Sequence, residues 1–264
     1  MLRANRWQLL CMRILVTFAV EAEFAPWRKM RRFVPSTRGN MEAYTTRFKD
    51  TEVLVLLTGV GGRRAWAEAT SIIWDGNVDV CISSGLAGAL RKDHRPGDVL
   101  VPREVHTTSW DKVIPTDKVL VEVASKCGAK VVEAFYSADR VIVRSDEKLD
   151  LGAKRMDAVE METGDILLEA VAFGARVVAI RGISDGADEA LPLDFNRSVT
   201  EDGDVSIKRV LAQVAARPSS LPALIRFGLQ SRRAARKLAM VLDKYVDALA
   251  KVPHLKVAEQ AAAR

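Results

Sequence analysis

In five segments of this 264-residue chain, acids, glycines or small polar residues follow directly after an apolar run. In Phe18-Ala19-Val20-Glu21-Ala22-Glu23 the two glutamates are two residues apart, so one can enter a cleft while the other faces solvent. Acids in a first helical turn also satisfy the helix dipole, which is the plainer explanation. Thr58-Gly59-Val60-Gly61-Gly62-Arg63 has part of the glycine spacing of a dinucleotide-binding turn. However, Arg64 stands at the third glycine position and Asp79 precedes a strand instead of ending one. A tight strand–helix turn facing a small ligand suits these glycines better. In Ser83-Ser84-Gly85-Leu86-Ala87-Gly88, Gly85 and Ala87 let the backbone approach a ligand and offer free amides to an oxyanion or a sugar oxygen, unless the segment is an ordinary turn. Val159-Glu160-Met161-Glu162-Thr163 puts two acids where strands disfavour them. A carboxylate there can accept two hydrogen bonds from a vicinal diol, with the methionine as a soft apolar wall; Glu162 also fits as a helix N-terminal acid. Finally, Arg181-Gly182-Ile183-Ser184-Asp185-Gly186 can hold an aspartic acid ready to protonate a leaving group, or can be an Asx-type turn.

Each segment alone is weak, but all five follow the same kind of strand end, which describes one crevice. The elements that must position them are short Val- and Ile-rich runs alternating with amphipathic stretches. The pattern predicts strands over Arg13–Phe18, Glu52–Leu57, Val80–Ser83, Val99–Val101, Val131–Phe135, Ala158–Met161 and Arg176–Arg181. It predicts helices over Glu21–Arg32, Arg63–Trp74, Lys118–Lys126, Glu162–Phe173 and much of Asp204–Leu249. Several strands are apolar on both faces, as in a sheet covered by helices on each side. One domain over residues 12–264 is expected, behind an N-terminal extension of residues 1–11 that precedes a second methionine, Met12.

Composition is that of a globular chain, 48% hydrophobic and 28% charged. No apolar run is long enough to span a membrane and no secretory leader is legible. Cys11, Cys81 and Cys127 have neither metal nor redox spacing, and a cytoplasmic, reducing location fits them. His94, His106 and His254 are isolated and read as surface residues, so no metal and no cofactor is expected. The net charge of +6 is local: residues 208–256 carry eleven Lys and Arg against Asp243 and Asp247, leaving the remainder at −3. No nucleic-acid partner is therefore expected. The basic helical segment reads either as a helix packed on the body with a solvated face or as a peripheral contact with an anionic membrane.

Taken in order, the segments from Met12 to Phe195 resemble the purine nucleoside phosphorylase and nucleosidase superfamily, most closely its methylthioadenosine/S-adenosylhomocysteine nucleosidase branch. Val159-Glu160-Met161-Glu162 followed by Arg181-Gly182-Ile183-Ser184-Asp185 is the specific part. The resemblance implies an α/β fold, three-layer α/β/α with a central twisted mixed sheet, in a homo-oligomeric enzyme that cleaves the N-glycosidic bond of a purine nucleoside. Asp185 would then protonate the base, with Ser184 orienting it. Glu162 would bind the ribose diol, Met161 would pack on the sugar, Glu23 would activate water, and Arg181 would lie near the attacking water or phosphate. Leu86 departs from the serine common after Gly85, and the base-stacking segment is placed at Ala138–Ile142. The tail, with Leu191-Pro192-Leu193-Asp194-Phe195-Asn196 and Leu221-Pro222-Ala223-Leu224-Ile225-Arg226, resembles the hopanoid-associated phosphorylases, which act on adenosylhopane. Glu23 favours hydrolysis of an adenine nucleoside. The tail and the abundant arginine favour phosphorolysis, with phosphate as co-substrate. A catalytically silent nucleoside-binding protein on the same fold is the third reading.

Overall fold

The computed structural model describes residues 11–38, 41–60, 78–108, 111–198, 200 and 206–252. Ten strands form one mixed sheet in the order β10-β6-β8-β9-β5-β1-β4-β3-β2, with β7 on β6 and a further pairing of β10 with β5. The strands are β1 (Arg13–Phe18), β2 (Val34–Arg38), β3 (Met41–Phe48), β4 (Thr51–Leu57), β5 (Val80–Ala89), β6 (Val99–Thr107), β7 (Lys112–Pro115), β8 (Lys130–Ser137), β9 (Ala158–Glu160) and β10 (Arg176–Asp185). The β10–β5 pairing closes five strands into a ring, from which β1, β4, β3 and β2 extend as an open wing. The parallel pairs β1–β4, β1–β5 and β5–β10 form the centre, and antiparallel hydrogen bonds join β5 to β9 and β10 to β6.

The described helices are α1 (Glu21–Met30), α2 (Lys118–Lys126), α3 (Ser145–Ala153), α4 (Thr163–Ala172), α5 (Ile207–Ala216) and α6 (Leu221–Leu249). Alternation along β1 separates the layers. Ile14, Val16 and Phe18 join Phe24 and Trp27 of α1 and Leu238, Leu242 and Tyr245 of α6 on one side. Leu15 joins Ile166 and Leu167 of α4 on the other. Together they make the expected helix–sheet–helix sandwich.

The predicted strands and helices within the described residues are all present, several of them longer than expected; the predicted helix over Arg63–Trp74 and the turn Gly61-Gly62-Arg63 lie outside the described residues. The hairpin β2–β3, strand β7 and helix α3 carry no clear sequence signal. Strand β2 lies at the edge of the sheet, a position where a proline such as Pro35 is tolerated. Strand β3, MEAYTTRF, interleaves charged and polar residues.

The basic tail packs as a helix. Residues Ala234, Ala235, Leu238, Ala239, Leu242, Tyr245, Val246 and Leu249 of α6 are buried at helical spacing. Gly182 makes its approach to β10 possible, since a Cβ there would stand 3.1 Å from the Ala234 carbonyl oxygen. Asp243 ties α6 to α1 by accepting from Trp27 Nε1 at 3.1 Å and Arg31 Nη2 at 3.2 Å.

The expectation for His94 needs correction: it is buried, and its Nε2 lies 2.9 Å from Asp157 Oδ1. Asp157 Oδ2 also accepts from the amides of Glu133 and Ala134. Burial pushes the Asp157 carboxyl up, but the His94 contact and these amides outweigh it and leave it below the usual carboxylate range. His106 pairs with Glu104 at 2.7 Å. Cys81 is sealed in the core, where burial pushes its thiol up to about 12, so it is inert at neutral pH. Among the described residues no group of His, Cys, Asp and Glu is arranged to hold a metal ion, and no helix is long and apolar enough to cross a membrane.

Candidate active site

The C-terminal ends of β1, β5, β9 and β10 open onto one cavity of about 990 Å³, and these four ends carry four of the five segments singled out above. Its lining includes Glu23, Leu86, Ala87, Gly88, Glu160, Met161, Glu162, Ser184 and Asp185, with Arg140, Val141 and Ile142 from the segment expected to face the base.

At one end of the site lies Glu23. Helix α1 begins two residues after β1, so Glu23 sits in its first turn and lines the cavity, while Glu21 does not line it and pairs with Arg28 at 2.5 Å. Of the two acids, the second is the cleft residue. Its Oε1 accepts from the Leu86 amide at 2.8 Å and its Oε2 from the Ala19 amide at 3.1 Å. Burial raises its carboxyl above the ordinary value of 4.5, against the opposing pull of Arg181 and of the amides of Leu86, Val20 and Ala19. Such a carboxylate is a better proton acceptor than one in water. Within the small-residue segment after β5, the Leu86 amide is therefore engaged by the acid and not by a ligand oxygen.

Gly85 explains how these groups fit together. Its φ is +146°, and a Cβ would fall on Arg181 Nη1 and 2.9 Å from Glu23 Oε2. The residue is a glycine because the guanidinium and the carboxylate both pass through the space a side chain would take.

Arg181 is 1% exposed and heavily bonded. Its Nη2 donates to Glu160 Oε2 at 2.6 Å, Thr163 Oγ1 at 2.8 Å and Ser83 Oγ at 3.0 Å, and it lies 3.8 Å from Glu162 Oε2. Glu160 Oε2 also receives the amides of Glu162 at 3.0 Å and Thr163 at 2.8 Å, so it caps α4 as well as pairing the arginine. That oxygen is taken up by the protein, which makes Glu160 chiefly an anchor for its neighbours. Glu162, at the N-cap position of α4, presents its carboxylate beside Arg181 and to the cavity.

At the other end stands Asp185, where β10 finishes. Its Oδ1 lies 2.5 Å from Ser184 Oγ, which is 3.2 Å from the Ala87 carbonyl oxygen. Oδ2 receives Lys148 Nζ, a contact no sequence pattern announced. Gly88 leaves room for it, because a Cβ there would be 3.0 Å from Asp185 Oδ2. The Ala138–Ile142 segment is steadied by Asn196, whose side-chain amide accepts from Val141 N at 2.8 Å and donates to Val141 O at 3.0 Å.

Towards solvent the cavity is walled by Ala22, Ala25, Pro26 and Met30 of α1 and by Phe227, Ala235 and Met240 of α6, with Lys29, Arg232 and Arg236 among them. The buried end is thus a cluster of directed carboxylates, and the open end an apolar funnel.

The chain is similar to several known proteins. The chain is 24% identical over 188 residues to the aminodeoxyfutalosine nucleosidase of Helicobacter pylori, which covers 63% of this chain and 81% of that one. It is 26% identical over 226 residues to the 5′-methylthioadenosine/S-adenosylhomocysteine nucleosidase of an Exiguobacterium species, covering 76% of this chain and 97% of that one. Among solved structures, a mutant H. pylori nucleosidase with 5′-methylthioadenosine in its active site superposes with a TM-score of 0.69 at 20% identity, covering 90% of this chain and 99% of that one. The Neisseria meningitidis 5′-methylthioadenosine/S-adenosylhomocysteine nucleosidase bound to methylthio-immucillin-A gives a TM-score of 0.69 at 22% identity, covering 89% and 99%. The Phosphorylase superfamily matches residues 13–216. With its crevice at the strand ends and its match running from β1 into α5, the chain belongs to the Phosphorylase superfamily and is an enzyme that acts on the N-glycosidic bond of nucleosides.

Proposed function

We propose that the protein hydrolyses the N-glycosidic bond of an adenine nucleoside of the methylthioadenosine or S-adenosylhomocysteine type. The observation that carries this reading is Glu23: an acid buried beside Arg181, held by two backbone amides and raised towards the pH at which a general base works. In the proposed mechanism Glu23 takes a proton from water as the oxygen approaches C1′. Glu162 receives the ribose hydroxyls and Met161 packs on the sugar, while Asp185, oriented by Ser184, supplies the proton that the departing base needs. The transition state is oxocarbenium-like, so carboxylates near the sugar stabilise the growing positive charge. A phosphate dianion is disfavoured at the same spot, because Glu23 would repel it and Arg181 is already paired with Glu160.

The second reading is phosphorolysis of a nucleoside with a large apolar 5′ substituent, such as adenosylhopane, and the apolar funnel favours it. About 990 Å³ is at the upper end of the roughly 300–1,000 Å³ common for ligand pockets. Leu221, Ile225 and Leu229 on the exposed start of α6, next to Arg226 and Arg232, support peripheral contact with an anionic membrane from the cytoplasm. One experiment separates the two readings: adenine release is followed from methylthioadenosine, S-adenosylhomocysteine and a series of 5′-alkylthioadenosines of growing chain length, with and without phosphate. Phosphate-independent release is expected. Release that requires phosphate and rises with chain length would establish the second reading. Turnover of none of these compounds, despite binding, would point to a silent binding protein.

A further inference from the structure

We propose that Lys148 is the proton source behind Asp185, an inference that rests on the glycosidic reading above. Lys148 is the one fully buried residue of α3, 1% exposed, while Leu149 and Leu151 of the same helix are only partly buried. A lysine brought out of water in this way needs an acceptor for every N–H. It finds three: Asp185 Oδ2, the Gly186 carbonyl oxygen at 3.3 Å and the Glu189 carbonyl oxygen at 2.8 Å. Three acceptors match the three donors of an ammonium, whereas a neutral amine would turn its lone pair on one of them. An ammonium at Lys148 beside an ionised Asp185 satisfies every one of these contacts.

That arrangement bears directly on the reaction. An ionised carboxylate only accepts, so Asp185 must first be given the proton it hands to the base. Ser184 contacts Oδ1, and Lys148 contacts Oδ2 and also lines the cavity. As the C1′–N bond breaks, its electron pair goes to the base. The proton on the base comes from Asp185, which is replenished by one from Lys148 Nζ. The water oxygen bonds to C1′, and its proton goes to Glu23. Lys148 is left as a neutral amine and Glu23 as a carboxylic acid. Once the products leave, Lys148 regains a proton from solvent and Glu23 gives one up.

Lys148 is thus a positioning and proton-supplying residue that acts through Asp185. The test compares two substrates in Lys148→Met: the adenine nucleoside turned over by the wild type, and 4-nitrophenyl riboside, whose phenolate departs unprotonated. On the nucleoside, kcat should fall roughly 10²- to 10⁴-fold, the usual worth of proton transfer. The riboside rate should stay near that of the wild type, which also shows that the variant is folded. If Lys148→Met does not fold, Lys148→Gln keeps a donor without a transferable proton and should behave alike. An equal loss on both substrates would reduce Lys148 to a structural strut, and an unchanged nucleoside rate would remove it from the reaction; either result overturns the inference. Wild-type enzyme inactive on both substrates would instead refute the glycosidic reading, and the inference with it.

Discussion

Replacing Glu23 by glutamine keeps the shape of the side chain and removes its ability to take a proton, with two consequences of opposite sign. If Glu23 is the base, kcat should fall roughly 10²- to 10⁴-fold, which is about 2.7–5.4 kcal/mol of barrier, with little change in KM. Stability should move the other way as pH rises. Burial holds the folded carboxyl above its ordinary 4.5, so above that value the folded wild type binds more protons than the unfolded chain. Its stability then falls with pH, at a limiting slope of about 1.36 kcal/mol per pH unit until the folded group has ionised. Glutamine has no such slope. It does lose one of the two amide contacts, from Leu86 N or Ala19 N, at a cost of about 1–3 kcal/mol. Glu23→Gln should therefore be the less stable protein near pH 4.5 and should gain on the wild type as the pH rises, until the folded Glu23 has ionised. Urea unfolding at several pH values measures this directly. Parallel stability curves for the two proteins across that range would refute the reasoning that burial raises Glu23.

Other perturbations test neighbouring parts of the site and the fold. Gly85→Ala should cut kcat by about 10²-fold or more, with a smaller effect on the unfolding midpoint, because the new Cβ displaces Arg181 and Glu23 together; near-normal turnover would contradict the close approach seen here. Asp243→Ala, which removes the acceptor of Trp27 and Arg31, should destabilise the protein by about 1–3 kcal/mol, and limited proteolysis should then release α6 first. Asp157 has a folded carboxyl below its ordinary 3.8, so it contributes stability above that value that is lost as the pH falls through the folded value. Asp157→Asn should lower stability at neutral pH and flatten the acid limb, as read by thermal unfolding between pH 2 and 6.

The parts of this molecule that follow from local pattern were legible in its sequence. Strand β1 and helix α4 announce themselves by burial on both faces or by period, and Glu23, Glu162, Ser184 and Asp185 were visible as polar residues at strand ends. What could not be read depends on contacts between distant segments. Lys148 looks like any solvated lysine in SDEKLDLGA until α3 is folded against the end of β10, 37 residues further on. His94 looked like a surface residue because its partner, Asp157, is 63 residues away. The family resemblance gave Glu162 the ribose diol, but that Glu160 caps α4 and pairs with Arg181 is visible only in the fold. The hairpin β2–β3 escaped because an exposed wing needs no continuous apolar run.

The most direct test of the central claim is adenine release from methylthioadenosine in phosphate-free buffer by the wild type and by Asp185→Asn. The account predicts release by the wild type at a rate that added phosphate does not raise. It also predicts that the variant binds the nucleoside with similar affinity but turns over roughly 10²- to 10⁴-fold more slowly. Adenine release that depends on phosphate, or an unimpaired Asp185→Asn, would contradict it.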